Sequence, residues 1–304
     1  MFVINPDQYS LPMYRIGPFT TGDVARNHCL PDSTLMDAYL ERRFDSQDFQ
    51  YTLNGRQAMD IALAALNLKP QDVVTILTTS GNFYISSCVT KAIEKYCRWS
   101  REMLPETRAI FVNHEFGYPY SGVGKLKEHR LPIIEDCALS FFSEDSEKDM
   151  GQVGDYVIYS FPKMFSLQIG GLLVANEPRR LEKNDNLGKE ELRHIKNVLS
   201  SQIDSRDQII RERIFNYQYL RKRFSELGFQ ERFTLDPGVV PGVFMFETEG
   251  HGIDLPRLKT YFWMHGIQCS VFYGEEAFFI PVHQALKRQD MDYFVEVFKS
   301  FPRW

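Results

Sequence analysis

Val157-Ile-Tyr-Ser-Phe-Pro-Lys-Met-Phe-Ser-Leu-Gln-Ile-Gly-Gly-Leu-Leu-Val174 sets one lysine, Lys163, between two apolar, strand-like runs and ahead of the glycine pair Gly170-Gly171. Flanked by Pro162, Phe165 and the aliphatic run after Gly170, this amine is poorly placed for a solvated surface charge, and partial desolvation lowers an amine's pKa. A lysine that forms Schiff bases needs that property. Taken alone, the stretch fits equally well a turn between two strands whose lysine snorkels outward. The rest of the chain decides.

From Tyr51 onward the chain alternates strands and helices, the pattern of a mostly parallel sheet covered on both faces. Strands are expected at Val73–Leu77, Arg108–Asn113, Leu131–Asp136, Asp155–Tyr159 and Gly171–Ala175, with helices over Ala58–Leu68 and Ser86–Tyr96. Before Tyr51, Pro6, Pro12, Gly17-Pro18 and Pro31 break any long element until the amphipathic run Ser33–Phe44, which reads as a helix with Ser33 as a candidate N-cap. A charged stretch from Glu177 to Glu191 marks the exit from the sheet. Glu190–Leu227 then carries apolar residues at helical spacing, as one long or two consecutive helices with a solvated charged face. The last third, with strand-like pieces at Val239-Val240, Val243–Phe246, Gln268–Tyr273 and Phe278–Ile280 and helices at Leu255–His265 and Met291–Phe301, suits a small α+β domain. The expected organisation is an N-terminal segment and large domain over residues 1–190, followed by linking helices and the small domain over 191–304.

The 304 residues, 43% hydrophobic and 25% charged, are those of a globular protein able to bury a large core. A net charge of −5 and a pI near 5.9 leave no electrostatic footprint for nucleic acid. No uncharged apolar run reaches membrane-spanning length, and Met-Phe-Val-Ile-Asn-Pro6 lacks the layout of a signal peptide, so a cytoplasmic protein is expected. Cys29, Cys88, Cys97, Cys137 and Cys269 contain no C-x-x-C pair, which argues against a disulfide framework and against a zinc site.

Two further features bear on Lys163. Gly55-Arg56-Gln57 opens a helix, where free N–H groups, the positive end of the dipole and a glycine make an anion site, and Arg56 can add a forked contact; an ordinary glycine turn with a surface arginine is the plainer alternative. Ile133-Ile134-Glu135-Asp136 puts an acid at the C-terminal end of a strand, where open α/β sheets present ligand-binding groups. Such an acid can hold a protonated ring nitrogen, or simply cap the following segment. Phosphate, ring nitrogen and aldehyde together describe pyridoxal phosphate.

The order Asn54-Gly-Arg-Gln-Ala-Met-Asp-Ile-Ala-Leu63, Asn113-His-Glu-Phe-Gly-Tyr-Pro119, Pro132-Ile-Ile-Glu-Asp-Cys-Ala138, Gly151-Gln-Val-Gly-Asp155 and Ser160-Phe-Pro-Lys163 resembles the DegT-type sugar aminotransferases. These are a branch of the fold-type-I pyridoxal phosphate enzymes. The resemblance implies a three-layer αβα sandwich, Lys163 as the Schiff-base lysine and proton carrier, and Asp136 on the pyridinium nitrogen. It implies Gly55, Arg56, Gln57 and the Ser160 hydroxyl at the phosphate, with Phe83 stacked on the cofactor ring and Tyr84 as the weaker choice by one register. It also implies a small-molecule amino donor, a nucleotide-linked keto-sugar acceptor in polysaccharide or secondary-metabolite synthesis, and a homodimer.

The chain departs from the pattern at Leu139, where the family offers Gln or His to the cofactor's phenolic oxygen; Asn113 and His114 are the nearby substitutes. Ile169 replaces the acid that often precedes the glycine pair, the Ser-Phe-Pro-Lys spacing is short, and the Asn and Arg segment that a neighbouring subunit lends to the phosphate is not found. The alternatives to transamination are therefore a catalytically retired homologue with a binding role and another reaction of the same cofactor, such as a lyase or dehydratase.

Overall fold

The computed structural model describes residues 12–45, 48–176, 179–182 and 187–302. The reading of the first six residues, and part of the charged stretch from Glu177, lie outside them. The described elements are, in order, α1 (Gly22–His28), α2 (Leu35–Arg43), β1 (Asp48–Thr52), α3 (Gly55–Ala65), β2 (Val73–Thr78), α4 (Ser87–Ile93), β3 (Arg98–Ser100), β4 (Thr107–Asn113), β5 (Ile133–Asp136), β6 (Tyr156–Ser160), β7 (Gly171–Ala175), α5 (Lys189–Ile203), α6 (Arg206–Ser225), β8 (Val243–Glu247), α7 (Leu255–Met264), β9 (Ser270–Phe272), β10 (Ala277–Pro281) and α8 (Arg288–Ser300). Short 3-10 turns at Glu115–Gly117, Val123–His129 and Phe161–Lys163 join some of them.

Seven strands form one sheet in the order β1-β7-β6-β5-β4-β2-β3. β6, β5, β4, β2 and β3 run parallel, while β7 is antiparallel to both β6 and β1. The central strands are apolar on both faces because helices cover both. α3 lies on one face through Ala58, Met59, Ala62 and Leu63, and its alanines let the helix axis come close to β6 and β7. α2 and α5 cover the other face through Met36, Leu40, Ile195, Val198 and Leu199, against Val157, Tyr159, Leu172 and Val174.

Two of these strands were not legible in the sequence. β1 falls in what reads as preamble, and β3 is a three-residue edge strand too short to show a period. The charged run after residue 190 resolves into two helices, α5 and α6. Val239-Val240 is not a strand but the approach to β8.

The second sheet, β8-β10-β9, is antiparallel and packs on α6, α7 and α8. Its core is aromatic: Phe224, Phe229, Phe244, Phe246 and Phe298 meet edge-on, tilted or, for Phe244 and Phe246, stacked, at centroid separations of 4.4 to 6.1 Å. Just beyond β10, His283 is buried and accepts the Ala285 N–H at Nδ1. Burial, reinforced by the nearby Arg213 charge, pushes its pKa from 6.5 down to about 3. The unfolded chain thus binds a proton that the native state refuses, so stability falls as pH drops from about 6.5 towards 3 and is unaffected by this group above that window. Thermal melts between pH 7 and pH 4 are expected to show His283→Gln losing less of its Tm on acidification than the parent protein.

Candidate active site

The parallel strands deliver the candidate residues by their C-terminal ends. Asp136 is the last residue of β5 and pairs in register with Asn113, the last of β4; Ser160 ends β6 and is paired with Gly171 at the start of β7. On the far side of β7, Thr52 of β1 pairs with the same Gly171, which brings the turn into α3 over the end of β6. A Cβ on Gly171 would lie 2.6 Å from the Asn54 carbonyl carbon, and one on Gly55 would lie 3.1 Å from the Ser160 Cβ. Gly171 and Gly55 are therefore what allow the α3 N-terminus to sit against Ser160.

At that N-terminus the Asn54 side chain accepts the Gln57 N–H at 3.0 Å and the Gln57 Oε1 accepts the Leu53 N–H at 2.7 Å. The pair is close to a capping box, except that the Gln57 side chain reaches the N–H of the residue before the N-cap and not that of the N-cap itself. It commits the Gln57 side-chain oxygen to its own turn, leaving Gly55, the exposed Arg56 and the Ser160 hydroxyl as the groups at the mouth of the helix.

Lys163 closes the 3-10 turn Phe161–Lys163, held above a buried aromatic cluster of Phe141, Phe161 and Phe165. Gly17, from the N-terminal segment, passes so close to the Pro162 carbonyl that a side chain there would collide with it. Burial lowers the Lys163 pKa; the Cys88 thiol and Asp136 oppose the shift and Arg56 adds to it. Asp136 shifts the opposite way for the same reason: burial raises its pKa, against the Ala138 N–H that donates to its Oδ1 at 3.0 Å and against the Lys163 charge.

Lys163 and Asp136 line one cavity of about 470 Å³ between the end of the large sheet and the small one. Asn113, Glu115, Leu139 and Tyr84 share its wall on the sheet side, and Lys259, Trp263 and Phe272 on the other. Phe83 is not on this wall. It is 73% exposed, whereas Tyr84, at 41%, faces the cavity and packs on Tyr273 with centroids 5.2 Å apart. The register is set by Asn82, whose side chain donates to the Tyr273 carbonyl and accepts the Tyr84 N–H, turning the tyrosine inward and its neighbour out.

His114 is not free to serve in place of the missing Gln or His. Its Nδ1 accepts the Tyr120 N–H, so Nε2 carries the proton and donates to Glu135 at 2.9 Å. Asn113 remains the polar side chain beside Leu139 on the cavity wall. His114, Glu135 and Cys137 place their ligand-type atoms within 4.8 Å of one another. Both oxygens of Glu135 are already engaged, by His114 and by the Gly151, Val153 and Gly154 N–H groups, so the cluster reads as a closed hydrogen-bond network, not a cation site.

Residues 100–195, which include Asp136, Ser160 and Lys163, match the DegT/DnrJ/EryC1/StrS aminotransferase family. Over that span the chain is similar to that family. It is 30% identical over 200 residues to the GDP-perosamine synthase of Escherichia coli O157:H7, an alignment that takes in 55% of this chain and 53%, about half, of the length of that protein. The aminotransferase TlmJ from Streptoalloteichus hindustanus superposes with a TM-score of 0.70 at 14% identity, covering 93% of this chain and 97% of its own. The E. coli GDP-4-keto-6-deoxy-D-mannose-3-dehydratase, solved with bound hydrated PLP, superposes with a TM-score of 0.67 at 15% identity over 95% of this chain and 100% of its own. The fold is thus that of the fold-type-I transferases, as the order of the motifs implies.

Beside these DegT-type motifs stands a group the sequence did not single out. Glu115 is buried on the cavity wall with its pKa raised by burial, and the Ser80 N–H donates to its Oε2 at 2.7 Å. The turn that carries it holds Phe116 at φ 54, a left-handed conformation uncommon for a bulky residue and often associated with functional turns. Only a strained backbone could have announced it, and a sequence does not show strain.

Proposed function

We propose that this protein is a pyridoxal phosphate-dependent aminotransferase whose acceptor is a keto sugar, linked to a nucleotide, and whose donor is an amino acid. The observation that carries this reading is the single cavity shared by Lys163 and Asp136, with pKa values moved in opposite directions by burial. The residues present fit the cofactor: a desolvated amine, an acid at a strand end, and a helix N-terminus with a glycine whose side chain would close the gap to Ser160. Gly55, Arg56 and Ser160 would hold the phosphate, Asp136 the ring nitrogen, and Tyr84, in preference to Phe83, a ring face. When bound, pyridoxal phosphate supplies an aldehyde that captures amines and a ring that stores the electron pair left by a departing proton.

Lys163 then has two tasks. Its lowered pKa enlarges the fraction of unprotonated Nζ near neutrality, which is the form that attacks a carbonyl and the form that lifts a proton from the donor's α-carbon. The proton it collects is available for return to a different carbon. Asp136 keeps a proton on the ring nitrogen because a buried carboxylate next to a cation is stabilised by it. Leu139, Phe116 and Phe272, which all line the cavity, exclude water from it. A second copy of the chain belongs to the proposal, since the enzymes it resembles build this site at a subunit boundary and Arg56 and Phe83 stand exposed for a partner to cover. A cytoplasmic setting suits a nucleotide-linked substrate, and among the described residues no helix is long and apolar enough to cross a membrane.

The test begins with purified protein and pyridoxal phosphate. A visible imine band should form, borohydride should abolish it, and peptide mass spectrometry should place the reduced adduct on Lys163. Glutamate or glutamine should then bleach the band. No adduct on Lys163 would overturn the cofactor reading, and an adduct whose band ignores every amino donor would turn the assignment to a dehydratase or to a retired homologue.

A further inference from the structure

Arg213, in the middle of α6, has no exposed surface at all. Among the described residues it has no carboxylate partner: Nε donates to Gln284 Oε1 at 2.9 Å, Nη1 to the Pro241 carbonyl at 3.2 Å, and Nη2 to the carbonyl of Lys163 itself at 2.8 Å. Gln284 completes the arrangement by donating Nε2 to the Met164 carbonyl at 2.8 Å. Two consecutive carbonyls of the lysine turn are therefore gripped from outside the large sheet. One grip comes from α6, and the other from Gln284, three residues after β10 of the small sheet; Pro241 leads into β8.

A guanidinium stripped of water with only carbonyl and amide oxygens around it is costly, and a well-packed apolar side chain of similar volume would fill the space at less expense. Burial bears this out by drawing the arginine's pKa down to about 9. What a leucine or methionine could not do is fix the direction of three oxygen acceptors at once, which the planar fork does. Holding the Lys163 and Met164 carbonyls fixes the peptide planes on the C-terminal side of Lys163, and with them the direction in which its Cα–Cβ bond leaves the turn.

We propose that Arg213 and Gln284 are positioning residues for Lys163, which together tie the aim of its amine to the placement of the small domain. The inference rests on the reading of Lys163 as the reactive amine of this site, but its geometry does not involve the cofactor. Neither residue touches the cavity, so both act through the backbone of the lysine turn. Closure or opening of the small domain over a substrate would be felt at Lys163 through these two side chains, because no other described side chain bonds the Lys163 and Met164 carbonyls.

The experiment uses the whole protein without cofactor, so that it does not depend on the proposed reaction. Lys163 is labelled with acetic anhydride at several pH values, and its acetylation is measured by peptide mass spectrometry against the exposed Lys95 and Lys299 as internal references. Arg213→Met, which keeps the volume and drops the donors, should change the Lys163 labelling rate by about tenfold, the scale expected of a reactive group displaced by less than an ångström. It should also move the pH midpoint of that labelling while Lys95 and Lys299 stay as they were. Arg213→Lys, which keeps the charge but offers its N–H donors from a single nitrogen and not from a planar fork, should recover part of the difference. Gln284→Leu, at a half-buried position, should move the same two readings in the same direction, and it serves where Arg213→Met is recovered unfolded. Labelling of Lys163 at the parent rate and midpoint in folded Arg213→Met, or in Gln284→Leu, would overturn the proposal. If pyridoxal phosphate forms no imine with the parent protein while these labelling shifts are present, the cofactor reading fails and the positioning role stands.

Discussion

Lys163→Ala is expected to abolish the imine band and to lower transamination by on the order of 10⁴-fold or more, at or beyond the upper end of what one acid–base group contributes. The size follows from how much is asked of one side chain. In the proposed reaction Nζ both captures the carbonyl and moves the proton, and no other described amine can replace it, since Lys259 stands on the opposite wall of the cavity with its ammonium directed to the Tyr273 hydroxyl. Lys163→Arg should be equally inactive, because a guanidinium stays protonated at any pH the protein survives and cannot attack. The pH dependence separates chemistry from binding. With the parent pKa lowered by burial, the imine-forming rate of cofactor-free protein should rise with pH and level off earlier than it would for a solvated lysine, since only the unprotonated amine reacts. Stopped-flow absorbance from pH 6 to pH 10 reads this directly. Parent-like imine formation by Lys163→Ala would assign the band to a different lysine and remove the basis of the mechanism.

What could be read from the sequence was local and ordered. Asp136 at the end of an apolar strand, the glycine-led helix at Gly55 and the lysine ahead of a glycine pair each follow from rules about strand ends, helix N-termini and amine desolvation. The fold then brings their elements together at one end of the sheet, and Lys163 and Asp136 into one cavity. What could not be read depends on which way a side chain is turned. Phe83 and Tyr84 are neighbours of similar character, and the choice between them is made by Asn82 reaching across to residue 273, a contact 191 positions away in the chain. Arg213 is hidden for a related reason. In a helix with as many charges as α6, a charged residue is expected on the solvated face, and nothing local marks the one arginine that the small sheet covers. Gln57 shows the converse, since its place beside a glycine suggests an anion contact while its side-chain oxygen is taken by its own capping turn.

Glu135 carries the second large effect, and it is one of stability. Successive strand residues point to opposite faces, so the adjacent acids Glu135 and Asp136 do not form a pair: Asp136 opens on the cavity while Glu135 turns into the protein and is fully buried. There its carboxylate accepts the Gly154 N–H at 2.6 Å, the Gly151 N–H at 2.7 Å, the Val153 N–H at 3.1 Å and the His114 Nε2 proton at 2.9 Å. A buried carboxylate with four donors is compensated for the water it has lost. Glu135→Ala would leave three backbone N–H groups and an imidazole without acceptors. At about 1–3 kcal/mol for each stranded group, the loss is comparable to the roughly 5–15 kcal/mol that holds a domain together. The variant is expected to be insoluble or to melt far below the parent. Glu135→Gln keeps the shape and one acceptor oxygen but turns an NH₂ towards donors, so its denaturation midpoint should fall by less, with the damage centred on the Gly151–Asp155 turn. Hydrogen exchange can localise it there, through faster exchange at Gly151, Val153 and Gly154 than elsewhere in the sheet. Because His114 leans on the same carboxylate and its neighbour Asn113 pairs with Asp136, loss of imine formation in Glu135→Gln would follow from a shifted strand end, and a Glu135→Gln protein of unchanged midpoint and unchanged exchange would show that the four hydrogen bonds contribute nothing net.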